Sequence, residues 1–335
     1  MVAISAPDAV VGPGGPAPAP PPDRFAGMVW PADQPTTAPE IFRVLTWNLM
    51  HFVDEHDSPY ISNAWDDERR GMSERRVELF VRAIRAINPD VAVFEEVESP
   101  AFINTLARER LAGMGYKWVA GAPDLHWHQN VVVISRFPLG ALISFSQAET
   151  AIGDRGQGWP AGALPDGGPP PTQHFVNNRL LLVEVRVRPQ YWFLLAGLHL
   201  KAGAGERNAA WRLGQVRLLR ARLARELAAD PSINILLAGD LNSTPDDAEL
   251  RFLLSGGGPG DGLVFVDALA GRDAGQLTMP SSSPARRIDY ILPNTNMARE
   301  LAGESPGVVR PLPPAEMSEV SDHLPVLAEF YSRDR

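Results

Sequence analysis

The chain has 335 residues, 44% of them hydrophobic and 21% charged, no cysteine and a formal net charge of -9. That is the composition of an ordinary globular protein, and it excludes a disulfide framework, thiolate catalysis and thiolate-held zinc. The acidic balance argues against gripping nucleic acid by bulk charge, so a polyanionic substrate would need local arginines or a metal ion.

Residues 1–39 are rich in Pro, Ala and Gly, with the run Pro16 to Pro22. They read as a disordered or polyproline II leader, without the basic start and continuous apolar core of a secretory signal. A cytoplasmic location is the expectation. No stretch approaches the ~20 apolar residues of a membrane span.

Ile41 to Trp47 has the β-branched and aromatic character of a strand and ends on Asn48. Ser73 can cap a helix in which Val77, Phe80, Val81, Ile84 and Ile87 keep helical spacing until Pro89. Val91 to Phe94 is a short buried strand that runs into Glu95 and Glu96. A helix over 101–111 and strands over 116–120, 131–135 and 141–145 follow. Between them, His126 and His128 alternate as zinc ligands on one strand face could, although surface or substrate-contacting histidines fit better without a third ligand.

Residues 147–176 turn Gly- and Pro-rich and read as a long insertion without secondary structure, of the kind that borders a functional cleft. Strands over 180–187 and 191–198 form an antiparallel hairpin that delivers His199. Glu206 to Ala229 is an amphipathic helix. Leu213, Val216, Leu219, Leu223 and Leu227 face the core, and Arg212, Arg217, Arg220, Arg222 and Arg225 make a solvated basic face. A strand over 233–238 leads into Asp240 and Asn242, and Pro245 can open a short helix to Leu254. Strands over 263–267, 287–292 and 324–330 complete the pattern. Asp289 sits inside an apolar run, where a lone carboxylate costs several kcal/mol, so a partner must wait for it.

The polar groups therefore collect at strand ends: Asn48, Glu96, His199, Asp240, Asn242, Asp289, Asp322 and His323. Oxygen ligands without thiolate suit Mg²⁺, with Mn²⁺ as an alternative, and an imidazole base beside such a cation fits hydrolysis at phosphorus. Neither a G-x-S-x-G elbow nor a phosphate loop is present.

The segments TWNL, FEEV, GDLNS, RIDYIL and SDHLPV, in this order between Phe42 and Phe330, resemble the motifs of the endonuclease/exonuclease/phosphatase superfamily, the DNase I-like group. The resemblance implies an α/β (α+β) four-layer sandwich: two mostly antiparallel β-sheets packed face to face, helices outside and the site at one edge. It implies a catalytic domain over 40–333, acting as a monomer on a phosphate ester, with nucleic acid first among the substrates. By the same resemblance Glu96, Asn48 and Asp322 are metal ligands, and His323 is the general base oriented by Asp289. Asp240 orients water or metal-bound phosphate. Asn242, His199, Asn130 and Arg179 contact phosphate. FEEV has Glu95 where the family usually has Gln. A phospholipid or inositol-phosphate hydrolase is the alternative, and a catalytically silent binding module is the alternative of another class.

Overall fold

The computed structural model describes residues 30, 38–56, 73–121, 129–146, 148–151, 172–174, 179–256, 261–272, 275–303 and 306–335. The leader up to residue 37, except Trp30, lies outside them, as do His126, His128 and most of the insertion.

The first half of the chain builds β1 (Ile41–Phe52), α1 (Glu74–Ile87), β2 (Val91–Val97), α2 (Pro100–Glu109), β3 (Trp118–Gly121), β4 (Asn130–Ser135), β5 (Leu139–Ser144), β6 (Glu149–Ala151) and β7 (Thr172–His174). The second half builds β8 (Leu180–Arg188), β9 (Tyr191–His199), α3 (Glu206–Ala229), β10 (Ile235–Asp240), α4 (Ala248–Ser255), β11 (Asp289–Pro293), α5 (Thr295–Ala298), β12 (Gly307–Val308), α6 (Pro314–Val320) and β13 (Val326–Tyr331). Ser73 caps α1 as its sequence predicts, its hydroxyl accepting from Arg76 N at 3.1 Å, and a left-handed Asn88 ends the helix before Pro89.

Two sheets result, one ordered β12-β13-β1-β2-β4-β3 and the other β11-β10-β9-β8-β5. Every pairing in them is antiparallel except β1 with β2 and β9 with β10. Strand alternation then assigns the layers. Phe42, Val44, Val91 and Val93 face Leu181, Phe193, Leu195 and Leu236 between the sheets, with Phe42 stacked on Phe193 at 5.5 Å. Leu45, Trp47, Ala92 and Phe94 face outward onto α1, α2 and α6, while Leu194, Ala196, Ile235 and Leu237 face α3 and α4. The order is helix, sheet, sheet, helix, as expected.

Several boundaries differ from the sequence reading. Residues 263–267 make only an isolated bridge, Phe265 with Asn294. The insertion is not wholly without secondary structure, because β6 and β7 pair antiparallel at its two ends. Nor is the face of α3 uniformly solvated. Arg212 and Arg220 are buried, paired with Glu249 at 2.6 Å and Asp261 at 2.7 Å, so these two guanidiniums fasten α4 and the loop after it.

The two parallel pairs set the position of everything functional. In each, both strands end at the same edge of the sandwich, which puts Asn48 beside Glu95–Glu96 and His199 beside Asp240. At the other edge, β1 begins beside the end of β13, in register from Ile41 with Tyr331 to Thr46 with Val326, and Ser332 N donates to Glu40 O at 2.9 Å. Near that edge Glu300 is buried, accepting from Asn234 Nδ2 at 2.9 Å and from the Tyr191 hydroxyl.

Candidate active site

The β1/β2 pair breaks before it ends. Register runs from Val44 with Val91 to Asn48 with Glu95 and resumes at Phe52 with Val97, so Leu49, Met50 and His51 stand opposite Glu96 alone. Met50 (φ 47°), His51 (φ 51°) and Glu96 (φ 57°) all adopt left-handed backbone, which residues with a side chain rarely do. Arg76, reaching from α1, holds the bulge. Its guanidinium donates to the carbonyls of Leu49, of Met50 at 2.7 Å and of His51 at 3.4 Å, and to Val320 O at 2.9 Å.

The bulge separates the two glutamates. Glu95 points between the sheets with no exposure and accepts from Thr46 Oγ1 at 2.8 Å; burial pushes its carboxyl well above the usual carboxylate range. Glu96 turns into the cleft, accepting from His51 N at 3.1 Å and Asn48 Nδ2 at 3.4 Å. Burial opposes its charge, but His199, His51, Arg179 and a Gln129 hydrogen bond together hold it down at about 2. Because burial keeps His199 itself uncharged, Arg179 and the hydrogen bonds are the contributions that persist at neutral pH.

The β9/β10 pair stays in register to its last residues, His199 with Asp240. Gly239 permits this closeness: a Cβ there would lie 1.9 Å from Leu198 O, so any other residue would push β10 off β9. Asp240 accepts from Asn242 N at 2.8 Å, Asn242 Nδ2 at 3.2 Å and, across the sandwich, Asn48 Nδ2 at 3.0 Å. Burial raises its pKa to about 7, and Asp289 adds to the rise. His199 is buried, its Nδ1 3.3 Å from Arg179 Nη1, and burial lowers its pKa to about 3.

His323 completes the edge. Trp47 Nε1 donates to its carbonyl at 3.0 Å, and its N donates to Ser321 Oγ, which in turn donates to Asn48 O at 2.6 Å. Its Nδ1 lies 2.9 Å from Asp289 Oδ2, so the acid in the apolar strand has its partner. Its Nε2 faces Asp240 Oδ2 at 3.9 Å and Asp322 Oδ1 at 3.9 Å. Burial works against the charge on the ring, yet Asp289, with Asp240 and Asp322, raises its pKa to about 10. Burial also raises the pKa of Asp322.

The structure thus brings together Asn48, Glu96, His199, Asp240, Asn242, Asp289, Asp322 and His323, with Arg179 behind His199. Asn130 is buried opposite Val97 and gives its Nδ2 to Glu98 O at 2.6 Å. Its neighbour Gln129 is bonded to Glu96 and stands 3.4 Å from His51 Nδ1. Gln129, His51 and Arg76 are site residues that the sequence reading missed. The left-handed pair at 50–51 carries no glycine to announce the bulge, and Arg76 reads as one more polar residue on an amphipathic helix. The cleft itself holds ≈ 660 Å³, lined by Met50, His51 and Glu96 on one side and Asp240, Asp322 and His323 on the other.

The donor set fits a divalent cation. Glu96 and Asp322 offer carboxylate oxygens to the cleft. Asn48 turns its Nδ2 to the carboxylates while Oδ1 accepts from Met50 N at 2.9 Å, so it would need its amide reversed to serve as a ligand. Asp240, Asp289 and His323 also offer ligand atoms within 4.8 Å of one another, but Asp289 is engaged with His323 Nδ1.

A sequence profile described as the Endonuclease/Exonuclease/phosphatase family matches residues 45–323. The sequence matches no curated protein. Among solved structures, the human Nocturnin catalytic domain with bound sulfate anion shares 17% identity at a TM-score of 0.57, over 88% of this chain and 95% of that one. TDP2 from D. rerio complexed with single strand DNA product shares 15% at 0.54, over 87% and 99%. The endonuclease/exonuclease/phosphatase from Beutenbergia cavernae DSM 12333 shares 20% at 0.52, over 88% and 72%. These likenesses carry the fold, and the profile carries the family. The chain belongs to the endonuclease/exonuclease/phosphatase family, a superfamily of metal-dependent phosphoester hydrolases.

Proposed function

We propose that residues 40–333 form a Mg²⁺-dependent phosphodiesterase that cleaves nucleic-acid-type phosphodiesters by water attack, with His323 as general base. One observation carries this: His323 Nδ1 is fixed on Asp289 at 2.9 Å while Nε2 faces Asp240 Oδ2 across a 3.9 Å gap at the cleft. Asp289 holds the ring direction and stabilises the imidazolium formed when Nε2 takes a proton from water. Asp240, itself held by Asn242 N, is placed to orient that water. His199 Nε2 is placed to donate to a phosphate oxygen. Glu96 and Asp322 would hold the cation, which would polarise the phosphoryl group and, by offsetting the surrounding carboxylates, bring His323 down from about 10 toward working pH. The D. rerio TDP2 neighbour, complexed with single strand DNA product, favours a nucleic-acid strand over a lipid head group.

The test is a panel of DNA, RNA, sphingomyelin, inositol phosphates and nucleotide monoesters, plus bis(p-nitrophenyl) phosphate, with Mg²⁺ or Mn²⁺ and with chelator. Diester cleavage that chelator abolishes, and that His323→Ala lowers by at least ~10²-fold in kcat with Mg²⁺ affinity intact, is the expected outcome. Preference for a monoester or a lipid moves the substrate assignment. Retained turnover in His323→Ala removes the base.

A further inference from the structure

Among the described residues, His51 and His323 line this cleft and the buried His199 lies behind Glu96, and their partners decide where each carries its proton. His323 Nδ1 lies 3.0 Å and 2.9 Å from the oxygens of Asp289, which accept, so in the neutral ring Nδ1 bears the hydrogen and Nε2 is left the lone pair of a base. His199 is reversed. Its Nδ1 faces Arg179 Nη1 at 3.3 Å, a nitrogen that only donates, so Nδ1 accepts and Nε2 bears the hydrogen. His51 follows His199: the Gln129 amide nitrogen stands 3.4 Å from His51 Nδ1, which leaves the hydrogen on Nε2.

The two Nε2–H groups bracket one carboxylate. His199 Nε2 lies 3.6 Å from Glu96 Oε1, and His51 Nε2 lies 3.7 Å from Glu96 Oε2. They differ in access, since the His199 side chain is fully covered while that of His51 is 21% exposed and lines the cleft. The backbone works to hold His51 there. It is left-handed at φ 51°, after an equally left-handed Met50, and Arg76 pins the carbonyls of both. A residue with a side chain is strained in that region and persists where the surroundings fix it.

We infer that His51 is a further substrate-contacting residue. As a neutral imidazole it donates Nε2–H to a non-bridging phosphate oxygen, on the side of Glu96 opposite His199. The inference rests on the phosphoester-hydrolase reading of this cleft. In this tautomer His51 has no lone pair on Nε2 with which to ligate a metal or accept a proton. What it offers is a fixed N–H dipole, and such donors act on charge that builds on phosphoryl oxygens during attack.

The experiment compares His51→Phe, which keeps the ring and removes the donor, with His51→Gln, which keeps an N–H at similar reach. At saturating Mg²⁺, His51→Phe should lower kcat/KM on bis(p-nitrophenyl) phosphate by ~10- to 100-fold and weaken inorganic phosphate binding, with an unchanged Mg²⁺ midpoint. His51→Gln should stay within ~5-fold of the parent, and the ¹⁵N spectrum should show the His51 Nε2–H tautomer; these scales are set below that of a full oxyanion donor. Turnover of His51→Phe within twofold of the parent overturns the inference. So does a loss that extra Mg²⁺ restores, which would make His51 only a support for Glu96, and so does an Nδ1–H tautomer. Should the parent cleave no phosphoester at all, the reading of the cleft fails separately, and calorimetric phosphate binding with the ¹⁵N tautomer still decides the role of His51.

Discussion

The two parallel strand pairs meet at the same edge of the sandwich but reach it differently. The β9/β10 pair is regular to its last residue, and its functional groups His199 and Asp240 are almost fully buried. Their character comes from side-chain chemistry: burial and neighbours hold one imidazole uncharged and one carboxyl near neutral titration. The β1/β2 pair is broken by a bulge with three left-handed residues, and its carboxylate Glu96 is ionised and partly open to the cleft. The carboxylate proposed to hold the cation is supplied by bending the backbone. The imidazole proposed to contact phosphate and the carboxylate proposed to orient water are supplied by burying a straight one.

The largest effect separates the two glutamates that the bulge pulls apart. Glu96→Ala should abolish diester cleavage and Mg²⁺ binding, whereas Glu95→Gln, an amide in place of a carboxyl whose charge burial disfavours and which points away from the cleft, should leave Mg²⁺ affinity within about twofold. Calorimetry on both variants checks this, and equal loss would mean that the strand break does not sort the two acids.

Next in size is Asp289→Asn, which touches the straight half. Asp289 raises the pKa of His323, and a base must be deprotonated to act, so removing the charge should move the acidic limb of the pH–kcat profile to lower pH. Turnover should also fall by ~10-fold, because the imidazolium loses its partner. A limb that stays in place while turnover falls would assign it to another group.

Arg76→Met tests the broken half alone. Four backbone carbonyls lose their donor, so stability should drop by about 3 kcal/mol and Mg²⁺ affinity should weaken as Glu96 loses its setting. The ¹⁵N signals of His199 should stay where they are. Movement of those signals would show the two halves to be coupled.

The smallest effect lies at the far edge of the straight half. Burial raises Glu300 to about 8 from an ordinary value of 4.5. An acid whose pKa rises on folding contributes fully below its unfolded value and loses that contribution as pH climbs toward the folded one. Stability should therefore fall between about pH 4.5 and pH 8, and Glu300→Gln should flatten that fall by ~2 °C in Tm. An unaltered slope would place the titration elsewhere.

How much of this was legible in the sequence follows the same division. Asp289 announced itself as an acid in an apolar strand, and its expected partner proved to be His323. Strand alternation alone would place Glu95 and Glu96 on opposite faces, and the motif position chose Glu96, which is the one in the cleft. The straight half was read almost whole, because period-2 patterning survives to the strand end. The bulge was not read, since left-handed Met50 and His51 leave no glycine or asparagine mark, and with it went His51, Gln129 and the role of Arg76. Gln129, one position before Asn130, carries no sequence mark, and it lies where β2 loses its register with β4. The burial of Arg212 and Arg220 was invisible because their partners, Glu249 and Asp261, are 37 and 41 residues away.

The neighbouring ends of β1 and β13 have a mechanical consequence. A load drawn between Glu40 and Ser332 would open the β1/β13 ladder as a zipper, one rung at a time from Ile41 and Tyr331, rather than loading all its rungs in shear. That is the compliant direction of a sheet. The same ladder runs out, at Thr46 and Val326, beside Asn48 and His323, so tension on the two ends would reach the edge that carries the candidate site along its own hydrogen bonds.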